Sequence, residues 1–204
     1  MTTLYPVRFL VVRPERFTRL QLLIRFVASI ALGMVGLTFG GAFMFAFVGL
    51  PAYAASRLSS VGPASFRDDD GPRVLRVLHW CIAVSAWAGL TVEHLPGRGP
   101  GEMVSLQLER DASFAPTPGA AIARVFTGLP SAFVLMLACC VGALVWLWAA
   151  LTVLFSERVG RRAPAFLEGL QRWSARLLCY QASLVADYPP FALSDDAPGG
   201  AHGA

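Results

Sequence analysis

Two stretches of the chain contain no Asp, Glu, Lys, Arg or His: Phe26 to Ser56, 31 residues, and Val125 to Ser156, 32 residues. A membrane-crossing helix needs only about 20 apolar residues. A helix that is apolar on every face needs lipid around it or a core far larger than this chain can build. Both stretches therefore predict membrane helices, long enough to tilt or to extend into the headgroups. Pro51 and the Ala-Tyr-Ala-Ala that follows predict the frayed exit of the first. Two shorter apolar segments follow the long ones, Val77 to Val92 (broken only by His79) and Leu177 to Ala186. Each is preceded by charged residues at helical spacing: Arg73, Arg76 and His79 before one, Glu168, Arg172 and Arg176 before the other. Residues three or four apart share a helix face, so each segment extends into a helix of about 22 residues, basic at its start. Long Arg stems reach the headgroups from such a first turn. Both segments are read as membrane helices, the alternative being helices that lie on the membrane.

Strand signals precede each long helix. Val7-Arg8-Phe9-Leu10-Val11-Val12 is rich in β-formers, and Met103 to Glu109 alternates apolar with polar, the period of a half-buried strand. Non-helical backbone cannot face lipid, so both strands are expected outside the bilayer. The same order of parts thus occurs twice. Val7 corresponds to Val104, Arg25 to Arg124, Trp80 to Trp173, Trp87 to Tyr180 and Pro96 to Pro189, at offsets of 97, 99, 93, 93 and 93. The expected fold is an all-α integral membrane protein. Four transmembrane helices form two tandem, parallel two-helix repeats, with a short extramembrane β element in which the strands pair and cap the bundle. The first repeat is placed at 1–98, the second at 99–193, and a disordered tail at 194–204. Gly36 and Gly40 make a G-x-x-x-G step, with Gly33 one turn earlier, and are expected to bring a second helix close.

Composition agrees with lipid as the solvent. Charged residues make up 15% of the chain against about 25% in soluble domains, and mean hydropathy is +0.57. All 17 basic residues are Arg, the net charge is +4 and the pI about 9.2. Because these Arg residues flank apolar runs, anionic headgroups rather than nucleic acid are their expected partner. The N-terminus shows no cleavable signal peptide, so the first span is expected to serve as the insertion signal. Arg residues divide eight to seven between the two expected sides of the membrane. The five in the N-terminal segment tilt the expectation to a cytoplasmic N-terminus. Cys81, Cys139, Cys140 and Cys179 lie in apolar stretches without metal or disulfide spacing and read as buried small residues.

The C-terminal region carries an ordered signature: Gly160-Arg161, Pro164, Gly169, Arg172-Trp173-Ser174, Arg176, Tyr180, then Tyr188-Pro189-Pro190-Phe191 and Leu193. It resembles a bacterial membrane-protein family, domain-of-unknown-function family 4389. The opening Tyr5-Pro6-Val7-Arg8, with Pro14-Glu15-Arg16 and Arg19, is similar to that family's start. In the first half His94-Leu95-Pro96 stands where a second Tyr-Pro-Pro would fall. The resemblance implies a multi-span bacterial membrane protein and brings no activity with it.

Arg172 and Arg176, one turn apart with Trp173 between them and Tyr180 a turn later, suit an anionic headgroup or an acidic partner loop. The alternative is that Glu168 pairs Arg172 and the rest reaches to the interface. Tyr188, Pro189, Pro190 and Phe191 cannot continue a helix and suit an interfacial aromatic anchor or a partner contact. Glu93-His94 lacks further ligands at metal spacing. Asp68-Asp69-Asp70-Gly71 lacks the spaced oxygens of a calcium loop and reads as a solvated turn. No nucleophile elbow, P-loop or dinucleotide fingerprint occurs, so neither an enzyme nor a cofactor or metal is expected. The expected function is a non-enzymatic accessory or scaffold subunit of the bacterial inner membrane, multi-pass, packed against lipids and against other membrane proteins or itself. A small transporter or lipid-handling protein is the alternative.

Overall fold

The computed structural model describes residues 5–12, 18–34, 39–94, 97, 103–109, 111, 113–156 and 162–194, with backbone alone at 31–34 and 39–40. Eight elements follow one another: β1 (Val7–Val11), α1 (Arg19–Met34), α2 (Phe39–Ser65), a π-helical turn (Phe66–Asp70), α3 (Gly71–Ala88), β2 (Val104–Leu108), α4 (Pro118–Ser156) and α5 (Arg162–Gln181).

Both strands form where the alternating pattern places them, and they pair antiparallel with Phe9 opposite Leu106 at the centre. Val7 and Phe9 point into the core while Arg8 and Leu10 face out. Two buried apolar side chains of this size contribute about 1.5–3 kcal/mol each. That burial anchors a ribbon which would be marginal alone. The ladder is extended at its ends by Val12 N–H to Met103 O and Glu109 N–H to Pro6 O. Both strands lie on the short helices, β1 on α5 and β2 on α3, where His79 Nε2 meets Val104 O at 2.8 Å and can only be the donor.

Pro51 does not end the first long helix. It sits buried inside α2, which continues to Ser65. The break comes at Gly62, whose φ of +81° is open to glycine and costly for other residues. Asp70 corrects a second expectation: it is not solvated but 1% exposed. Arg57 pairs with it at 2.8 Å and Tyr53 Oη donates to it at 3.4 Å. Its pairing turns the chain from α2 into α3.

The long helices run antiparallel. Phe47 of α2 meets Gly128 of α4, Ala54, Ala55 and Leu58 gather on Ala121, and Leu22 of α1 packs beside Ala149 and Ala150. The short helices run antiparallel too. Gly71 at the start of α3 touches Leu184 beyond α5, while Thr91 and Ser85 near the α3 end bond Gln171. The two halves therefore do not enter in parallel, and they do not build separate cores: one cluster joins Val7, Phe9, Phe47, Ile82, Trp87, Leu135, Trp173 and Leu177. The expected count of four spans also changes. Among the described residues, Gly41–Ala88 and Pro118–Ser156 are long and apolar enough to cross a membrane. Helix α5 is not, because it carries four charged residues in twenty. Gly36 lies outside the described residues, and the surroundings of Gly33 and Gly40 are not described. On α4, Gly128 and Gly142 allow close approach: a Cβ at either would collide with Gln181 or Leu170 of α5.

Candidate functional site

Helix α5 sets Glu168, Arg172, Arg176 and Tyr180 on one face by their four-residue spacing. The chain beyond α5 folds back over this face. Glu168 Oε1 accepts from Arg172 Nη2 at 2.8 Å, both side chains nearly buried. Arg172 Nη1 donates to Leu193 O at 2.7 Å and Arg176 Nη1 to Ser194 O at 3.2 Å. Arg176 also lies over the Tyr5 ring, 5.6 Å from its centroid, and Tyr5 Oη donates to Asp187 O at 3.2 Å. Burial pushes the Tyr5 hydroxyl well above the ordinary phenol pKa. Gly169 makes room for this return, since a Cβ there would sit 2.8 Å from Leu193 Cβ and 2.9 Å from Leu193 O.

The aromatic residues complete the clasp. Phe191 meets Trp173 edge-on at 5.7 Å, Tyr188 meets Tyr180 at 5.5 Å, and Tyr188 and Phe191 are 5.9 Å apart. Trp173 Nε1 donates to Ser131 Oγ at 3.0 Å, and the Tyr180 hydroxyl bonds that of Thr127 at 2.9 Å. The signature residues Arg172, Trp173, Arg176, Tyr180, Tyr188, Pro189, Pro190 and Phe191 are thus brought together. Most of their surface, however, is spent on each other. Trp173, Arg176 and Tyr180 are buried, as is Pro189, so among the aromatic signature residues Tyr188 and Phe191 stay open to the surroundings, 38% and 56% exposed.

A second arrangement was not legible as a site. Arg124 of α4 is 7% exposed and donates from Nη1 to Tyr180 O and, at 2.8 Å, to Val185 O; its guanidinium lies 4.4 Å from the Tyr180 ring centroid. Arg25 of α1 is fully buried, donates from Nη2 to Val92 O at 2.7 Å and Glu93 O at 2.9 Å, and lies 5.4 Å from the Trp87 ring centroid. Val92 and Val185 are 93 residues apart, as are Trp87 and Tyr180. Among the described residues, the two non-glycine residues with positive φ, Leu90 at 59° and Ser183 at 57°, keep the same interval. Each ends its helix with a reverse turn closed by a six-to-one hydrogen bond, Thr91 N–H to Ala86 O and Leu184 N–H to Cys179 O. In both places an Arg from one helix (α1 or α4) binds carbonyls freed at the end of another (α3 or α5) and stacks on that second helix's aromatic residue. The signal that could have found them is the Arg standing just before each charge-free stretch, but it reads equally as a headgroup contact.

Residues 118–192 match the family described as Domain of unknown function (DUF4389). The match covers α4, α5, the clasp up to Ala192 and the Arg124 cap. No curated protein and no solved structure matches the chain.

Proposed function

From the premise that residues 118–192 carry the DUF4389 match, we infer that this chain is a non-enzymatic accessory or scaffold protein of the bacterial inner membrane. Its N-terminus is cytoplasmic, and it packs against anionic lipids and against other membrane proteins or a second copy. The observation that carries this reading is the outer surface of α4: Phe126, Leu144, Trp148 and Phe155 are 67–78% exposed, along a helix without an ionisable residue from Val125 to Ser156. An apolar surface of that extent needs lipid or protein against it. Glu168, Arg172 and Arg176 are absorbed in the clasp and Arg25 and Arg124 in the two arginine caps, where they hold the chain together. Tyr188 and Phe191, at the outer edge of the clasp, are the signature residues left to meet headgroups or a partner. We read the halves as a tandem duplication. The support is the 93-residue interval of the caps and the 97-residue interval that relates both Val12 to Glu109 and Pro6 to Met103 at the ends of the ladder.

Purification from native membranes in mild detergent tests this function. Stoichiometric membrane proteins or anionic lipids should accompany the chain, and a lipid-free monomer that returns alone would overturn the reading. The transporter or lipid-handling alternative draws on one observation. Gln181, fully buried beside Gly128 and Phe47, has no hydrogen-bond partner on either side-chain polar atom among the described residues, a place where a passing polar group would be held. Uptake or lipid transfer by the purified protein in vesicles, abolished by Gln181→Leu, would favour it.

A further inference from the structure

We propose that the long helices lie along the membrane within one leaflet, so that both ends of α4 face the same side; this rests on the membrane reading above and adds how the chain sits. Helix α4 has 39 residues, about 58 Å at 1.5 Å per residue, against a hydrocarbon core of about 30 Å. Length alone allows a steep tilt, but the path of the chain does not. Helix α3 leaves the end of the layer marked by Arg57 and Asp70 and finishes at Arg25, the opposite end. Helix α4 begins back at the first end, where Ala121 meets Ala54, Ala55 and Leu58. If α2 and α4 crossed the bilayer, the connection between α3 and α4 would have to cross it as well. That connection contains β2 and the exposed Gln107, Glu109 and Asp111, and Glu109 is paired with Arg8 at 3.0 Å. Strand and loop backbone facing lipid leaves polar groups unsatisfied, and charges at that depth are expensive.

Laid flat, the same structure needs no crossing. The apolar outer faces of α1 and α4 enter the acyl region; the sheet, the Arg8–Glu109 pair and the exposed charges Arg67, Asp68, Asp69, Arg73 and Arg76 stay on the aqueous side. Arginines at both ends of the long helices, among the described residues Arg19, Arg25 and Arg162 at one and Arg57, Arg67, Arg73 and Arg124 at the other, then have a cause. Arg normally accumulates on the cytoplasmic side of short loops, and here both ends are on that side.

Sidedness of labelling tests this. In a background with the four native cysteines replaced, single cysteines are placed at Gly119 and Ser156, the exposed ends of α4, and at Gln107 on the sheet. A membrane-impermeant maleimide is applied to sealed right-side-out and inverted vesicles. All three sites should react in one vesicle orientation and lose reaction in the other; Gly119 and Ser156 reacting from opposite faces would overturn the proposal. Wild-type protein in aligned bilayers gives a measurement independent of the variants. Oriented circular dichroism should keep the negative band near 208 nm that marks helices along the bilayer plane, and loss of that band would mean helices along the normal. Carbonate extraction separates the two levels: release of the chain from membranes would sink the membrane reading itself, whereas retention with opposite-face labelling would sink only the flat placement.

Discussion

Replacing Arg124 by Leu should lower the stability of the protein by about 3–5 kcal/mol. The guanidinium supplies two charge-assisted hydrogen bonds, to Tyr180 O and Val185 O, and stacks on the Tyr180 ring. Hydrogen bonds from charged groups contribute about 1.5–3 kcal/mol each, and carbonyls left bare in a buried place cost a similar amount. A desolvated cation over an aromatic ring adds about 1–2 kcal/mol. Leu recovers part of this through its own apolar burial, which brings the total into the stated range. A chain of this length loses about 2–4 °C of Tm per kcal/mol, so thermal unfolding in mild detergent, followed by tryptophan fluorescence, should shift down by roughly 10 °C. Arg124→Lys should recover less than half of the loss, because an ammonium cannot fork between two carbonyls. Arg25→Leu should cost a comparable amount, since its bonds to Val92 O and Glu93 O have the same form. The two sites lie at opposite ends of the helix layer, so the double variant should be additive to within about 0.5 kcal/mol. An Arg124→Leu protein that melts with the wild type would refute the claim that this arginine caps α5.

Four further substitutions probe the same architecture. Ser183→Gly should stabilise by about 1 kcal/mol, because it relieves a positive φ and deletes a buried hydroxyl without a hydrogen-bond partner. Leu90→Gly, at the matching turn, should destabilise in the same unfolding assay, since Leu90 is 1% exposed and packs on Ala149 and Ala150. Gly169→Val should free the chain around Leu193 from α5, seen as faster proteolysis near Tyr188–Leu193 while the helix content by circular dichroism is kept. Tyr5, with a folded pKa raised by burial above the ordinary phenol value of about 10, contributes stability that is complete below pH 10 and lost as the pH rises above it. Unfolding measured from pH 8 to 11.5 should therefore show Tyr5→Phe less stable than wild type at pH 8 and the gap closing above pH 10, and a pH-independent gap would count against the buried hydroxyl.

What the residues announced in advance were features set by neighbours in sequence. The period-two runs at Val7–Val12 and Met103–Glu109 became the two strands, because alternation alone dictates which side chains face a core. The charge-free run from Val125 to Ser156 lies within the single helix α4 for the same local reason, whereas the run from Phe26 to Ser56 is shared between α1 and α2. Pairings over distance were opaque. A stripe of Arg172 and Arg176 looks alike whether it meets phosphates or the carbonyls of Leu193 and Ser194. Three successive Asp residues look solvated until Arg57, thirteen positions earlier, covers the third. Parallel halves followed from counting every apolar segment as a crossing, and α5, charged on the face that binds the returning chain, breaks that count. Pro51 illustrates how weak a single breaker is in an apolar setting: α2 passes through it, and the helical backbone breaks at Gly62 instead.

The ribbon of β1 and β2 sets a timetable for synthesis. Val7 and its partner Leu108 are 101 positions apart, and at about 5–20 residues per second the first strand waits on the order of 5–20 s for the second to leave the ribosome. Throughout that interval Val7 and Phe9 have neither a neighbouring strand nor α5 to cover them, so the nascent chain offers a sticky amino end to any chaperone or insertion factor standing at the tunnel exit.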